Sequence, residues 1–181
     1  MVKLNYCGSV NFINYLYIME IRKSTPEDIN EIMDCINTAR QLMRESGNDI
    51  QWTNGYPSKE LMLQSIEKDF NFLIINDNEV VATFDFIIDN DPNYSIIENG
   101  TWLNDEKYGV IHRLASNGKA KGVAQFCFEW CFSQFPNIRI DTHETNIAMQ
   151  KVLEKLGYQK CGIIHVADGT PRLAFQKIND D

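Results

Sequence analysis

The apolar residues of this chain keep changing period, and that alternation restricts the fold more than any single motif does. Glu20 to Lys23 reads as a short strand, after which Ile29, Ile32, Met33, Ile36 and Met43 recur at helical spacing. Ser24 or Thr25 can cap that helix, Pro26 suits its first turn, and Gly47-Asn48-Asp49 ends it. Beyond the loop IQWTNGYPS, Ser58 opens a second helix carrying Leu61, Leu63 and Ile66. The period then switches. FNFLIIN and EVVATFDFII are β-rich runs separated by Asp77-Asn78, a hairpin signature. Residues 89–104 are polar and turn-rich; YGVIHRLAS is a strand, GVAQFCFEWCFSQF an apolar helix and IRIDTH a strand. NIAMQKVLEKLG is an amphipathic helix stopped by Gly157, and residues 158–166 and 172–177 read as two last strands. The order β-α-α-β-β-β-α-β-α-β-β predicts a mixed α/β fold built on one central sheet.

A chain of 181 residues holds one such domain, and we place it at residues 19–181. Met19 makes a fresh start, and residues 1–18 are expected to be an N-terminal extension; an early lysine and interrupting asparagines make them a poor signal peptide. No apolar run reaches the roughly 18 residues of a membrane helix. A net charge of -8 argues against broad contact with nucleic acid and would steer an amine inward. The five cysteines are odd in number and contain no Cys-x-x-Cys pair, so free thiols in a reducing cytoplasm fit best. Cys127 and Cys131 share a helix face inside FCFEWCF and read as small core residues rather than metal ligands. No two histidines have metal-ligand spacing, and no metal is expected.

The chemistry points to VIHRLASNGKAKGVAQFCFEWCF. A strand enters a turn of small residues that opens a helix near Lys119. Helix starts carry unpaired N–H groups and partial positive charge, and small residues let a phosphate approach them. Lys119 and Lys121 add point charges. The P-loop pattern fails at Arg113 and Ala120, and G-x-G-x-x-G is absent. An ordinary tight connection between strand and helix also satisfies this segment.

Lys119-x-x-Gly122-x-Ala124 resembles the pyrophosphate loop of GNAT-superfamily N-acetyltransferases, with lysine in place of the usual Gln or Arg and a short SNG loop before it. HRLA resembles that family's central cofactor-binding strand, and DTHETNIAMQKVLEKLGYQKCG the following strand and helix, with Asn146 and Gly157-Tyr158 at recurring positions. The resemblance implies a mostly antiparallel mixed sheet flanked by about four helices. It also implies acetyl-CoA as co-substrate and an amine, on a small molecule or a peptide, as acceptor. Arg113, Leu114 and Ala115 would line the cofactor's pantetheine, the Leu114 backbone would polarise the acetyl carbonyl, and Lys119, Lys121, Gly122, Val123 and Ala124 would hold the pyrophosphate. Asn146 would sit near the cofactor. Trp52, Tyr56, Trp102 and His112 are candidates for the acceptor pocket.

Many relatives carry a tyrosine acid on the last helix, where this chain has Leu153. Tyr158, His143 or a water would have to replace it, and His112 or His143 could serve as base. An acyl-CoA sensor without turnover is the alternative function. Monomer and homodimer are both open.

Overall fold

The structure is a computed structural model that describes residues 19–179; the expected extension, residues 1–18, lies outside the described residues. Among the described residues, seven strands and four α-helices follow the predicted order. They are β1 (Met19–Lys23), α1 (Ile29–Glu45), α2 (Lys59–Glu67), β2 (Asn71–Asn76), β3 (Glu79–Ile87), β4 (Gly109–Ser116), α3 (Val123–Gln134), β5 (Asn137–Thr142), α4 (Ile147–Lys155), β6 (Gln159–His165) and β7 (Pro171–Ile178). The helix starts are local chemistry. Asp28 accepts from the Thr25 N–H at 2.8 Å across a 3₁₀ turn that leads into α1, and the Ser58 hydroxyl caps α2 at the Leu61 N–H. Asp77 and Asn78 both take positive φ, 50° and 63°, as a two-residue hairpin turn requires.

The strands form one sheet in the order β1-β2-β3-β4-β5-β7-β6, antiparallel everywhere except β4 against β5. Alternation along each strand feeds two faces. On one, Ile74, Phe84, Ile138, Ile140 and Phe175 pack with Phe128 and Cys131 of α3 and Leu153 of α4. On the other, Leu73 and Ala115 meet Ile32 and Ile36 of α1 and Met62 of α2. A smaller cluster, Tyr94, Tyr108, Val110, Ile164 and Ala174, seats the loop between β3 and β4 on this second face. Cys127 and Cys131 are fully buried, and burial pushes the Cys131 thiol well above its usual range. Such thiols are core residues, not ligands. Among the described residues, no helix is long and apolar enough to cross a membrane.

Candidate active site

The parallel pair is where the sheet opens. β4 and β5 pair only at Gly109 with Ile138 and at Val110 with Arg139. Beyond that point the facing edges of Ile111–Ser116 and Ile140–Thr142 have no ladder partner among the described strands. Gly109 lets the strands meet this closely: a Cβ there would lie 2.7 Å from the Phe86 ring and 2.9 Å from the Ile138 side chain. A bulge then bends β4. Between the Asp85–His112 and Thr83–Ala115 pairs, Arg113 and Leu114 together oppose the single residue Phe84, and Arg113 takes φ 53°. The result is a wedge between the facing edges of β4 and β5, which share no ladder there. At its β5 side, Thr142 is 1 % exposed and its hydroxyl has no partner among the described residues. An unpaired buried hydroxyl of this kind costs about 1–3 kcal/mol.

The bulge swings the Arg113 side chain onto the α2 face, away from the wedge. Its Nε and Nη2 donate to Asp85, Nη2 also to Ser65, and Nη1 reaches the Tyr56 hydroxyl at 3.4 Å. Asp85 is fully buried and accepts further from Ser65 and Asn71, both at 2.7 Å. Burial lowers the Arg113 pKa, but the Asp85 charge, the Tyr56 hydroxyl and the hydrogen bonds to both together more than offset this and hold it above the ordinary value. Arg113 therefore lends its backbone to the wedge and its guanidinium to the core. Leu114 packs toward α3 and α4, and Ala115 against α1 and α2.

The expected helix start needs a correction. The helix begins at Val123, not near Lys119, because Gly122 takes φ 76° as its N-cap. The Ser116 and Asn117 side chains accept from the N–H groups of Gly118 and Lys119, so those donors serve the turn itself. Lys119 Nζ is tied to Glu79 at 2.8 Å. What remains as an anion seat is Lys121 and the first turn of α3 from Gly122 through Ala124, where Gly122 supplies no capping side chain and no atom lies within 4 Å of its Cβ position.

The start of α4 is bound to the loop between α1 and α2. Asn146 caps α4 at the Met149 N–H and donates to Gln51 at 3.3 Å; Asn48 donates to the same Gln51 oxygen at 2.9 Å. Thr145 donates to Asn48 at 3.0 Å. His143 belongs to this network: its Nδ1 accepts from the Thr145 N–H at 3.2 Å, and the residue is 5 % exposed. The Nδ1 side of this ring is thus committed to Thr145. Tyr158 is also corrected. It packs on Phe128 in the core, and burial, with the neighbouring cysteines, pushes its hydroxyl far above its usual range, making it a poor acid. Leu153 is fully buried beside it in the same cluster.

Of the pocket candidates, Tyr56 is 44 % exposed and Trp52 packs against the α1–α2 cluster. Trp102 donates to the Tyr94 carbonyl at 3.0 Å and stacks on the Arg139 guanidinium. With Asp91, Tyr94, Tyr108 and Arg139 it lines an open cleft of about 410 Å³. His112, one residue before the bulge, contacts Asp91 at 2.7 Å. The sequence reading missed Asp91 and Asp85. Asp91 was detectable only as an Asp-Pro turn signal, which says nothing of its partner 21 residues away. Among the described residues, no group of three or more His, Cys, Asp or Glu side chains is placed to hold a metal ion.

This geometry has known counterparts. The sequence profile described as an acetyltransferase (GNAT) domain matches residues 19–159. The crystal structure of a GNAT-family acetyltransferase from Streptococcus agalactiae 2603 is 35% identical, with a TM-score of 0.82 over 90% of this chain and 96% of that one. Crystal structures of GNAT-family acetyltransferases from Listeria monocytogenes 4b F2365 and Bacillus cereus ATCC 10987 share the fold. The first has 19% identity, a TM-score of 0.66 and coverage of 92% and 98%. The second has 18% identity, a TM-score of 0.56 and coverage of 89% and 98%. No curated protein matches the chain.

Proposed function

The chain belongs to the GNAT family of acetyltransferases, and from that premise we propose that it moves an acetyl group from acetyl-CoA to a primary amine of a small molecule or peptide, by direct attack with both bound. The observation that carries the reading is the wedge, where β4 and β5 stop pairing after Val110 and Arg139. An extended chain bearing amides can pair with the freed strand edges, as the family resemblance implies for pantetheine. Backbone N–H groups near Leu114 would stabilise charge developing on the acetyl oxygen. Lys121 and the first turn of α3 would bind the pyrophosphate. Four described cysteines are free, which suits a reducing cytoplasm.

One observation favours a second reading, an acyl-CoA sensor: Leu153, fully buried, stands where many relatives have a tyrosine acid. The test is acetyl-CoA calorimetry followed by thiol release, read with DTNB, in the presence of kanamycin, spermidine, lysine and a short peptide. Binding with amine-dependent thiol release supports transfer. Binding with no release from any acceptor supports the sensor, and no binding contradicts both.

A further inference from the structure

A base is still needed, because an amine acceptor arrives at neutral pH as an ammonium. His112 stands beside the wedge, one residue before the bulge at Arg113. Its Nε2 lies 2.7 Å from Asp91 Oδ2, while among the described residues its Nδ1 has no hydrogen-bond partner. Its side chain is 21% exposed, so the ring is sheltered yet reachable.

Asp91 is itself held firmly. Its Oδ1 accepts from the N–H and the side-chain amide of Asn93, both at 2.9 Å, and its own N–H donates to the Tyr108 hydroxyl at 3.1 Å. Asp91 also lines the 410 Å³ cleft, so the imidazole it contacts stands one hydrogen bond from space that a ligand can enter. The other ionisable groups around His112 have partners of their own. The Tyr94 ring lies 6.2 Å away and its hydroxyl donates to Asp141 of β5 at 2.8 Å. Arg172 of β7 approaches Asp141 at 3.9 Å. Asp85, opposite His112 on β3, is committed to Arg113.

We propose that His112 Nδ1 is the base that deprotonates the attacking amine, and that Asp91 is the positioning residue that keeps the imidazole proton on Nε2. The inference rests on the acetyl-transfer reading above. The ammonium gives one proton to Nδ1, which returns it to solvent. The amine lone pair forms the N–C bond, the C–S bond breaks with its electron pair on sulfur, and the second nitrogen proton passes to the departing thiolate. This sequence needs no separate acid and so accommodates leucine at position 153. Burial pushes the Asp91 carboxyl up, but the His112 contact and the Asn93 donors more than offset it and leave it below the ordinary value, consistent with an ionised partner.

The experiment compares wild type with His112→Gln and Asp91→Asn, using the acceptor from the panel that turns over fastest. Calorimetry with acetyl-CoA and thermal melts establish that each variant is folded. The expected result is acetyl-CoA affinity within about twofold of wild type for both, with kcat/KM for His112→Gln down about 10²–10⁴-fold. Asp91→Asn should lose at least about tenfold in kcat with KM within about twofold of wild type, and Asp91→Glu should regain part of that loss. Wild-type kcat in Asp91→Asn, or near-normal kcat/KM in His112→Gln, overturns this inference and leaves acetyl transfer standing. Acetyl-CoA binding with no wild-type turnover overturns both.

Discussion

At the scale of single residues, Arg113 does two jobs that pull it in opposite directions. Its backbone shapes the wedge while its guanidinium neutralises Asp85 in the core. Replacing Arg113 with Met should leave a buried carboxylate without its counter-charge and cost about 3 kcal/mol, the low end of the range for broken buried pairs, because Ser65 and Asn71 still donate to Asp85. Urea unfolding would show this as a lower midpoint with an unchanged slope. Asp28 offers a pH test at the other end of the domain. The Arg22 guanidinium, at 2.6 and 2.7 Å, holds its carboxyl at about 2 despite partial burial. A carboxyl depressed below its unfolded value of about 3.9 stabilises the fold above that pH and loses the contribution as pH falls toward 2. The stability gap between wild type and Asp28→Asn should therefore narrow steadily from pH 5 to pH 2. Neither pair was legible in the sequence as a pair. Thr25 and Pro26 announced a helix cap, but nothing local says that Arg22 folds back on Asp28 or that Asp85 meets Arg113 across two strands.

At the scale of elements, most of the structure was legible, because a change from helical to alternating period is written in neighbouring residues. The start of α3 was the exception. Lys119, Ala120 and Lys121 are good helix formers, and local propensity draws the helix back to them. Gly122 overrules propensity by taking the left-handed conformation, and the Ser116 and Asn117 side chains claim the donors before it. Gly122→Ala should thus cost about 1–2 kcal/mol through backbone strain alone, since open space surrounds the Cβ position. Thermal or chemical denaturation measures it. Charge reversal at Lys121, which is exposed, should weaken acetyl-CoA binding about tenfold in calorimetry without altering the melt; the same change at Lys119 should matter less, because Glu79 already occupies that ammonium.

At the scale of the molecule, the sheet explains why one chain can both hold itself together and leave a gap at its centre. Antiparallel pairing continues on both sides, β4 with β3 and β5 with β7, so each strand keeps one full ladder while the edges that face each other separate. The strand sequence was readable in advance; the insertion of β7 between β5 and β6 was not, since it depends on pairings between residues far apart in the chain. The physical basis of the splay, Gly109 at the closure and a two-against-one bulge at Arg113 and Leu114, appears only when β3, β4 and β5 are seen together. The measurement that bears most directly on this account is amide hydrogen exchange with and without acetyl-CoA. Saturating acetyl-CoA should slow exchange within Ile111–Ser116 of β4, Ile140–Thr142 of β5 and the first turn of α3, and leave β1 and β2 unchanged. Binding that protects none of these segments, or that protects a surface elsewhere, would contradict the assignment of the wedge as the acetyl-CoA site.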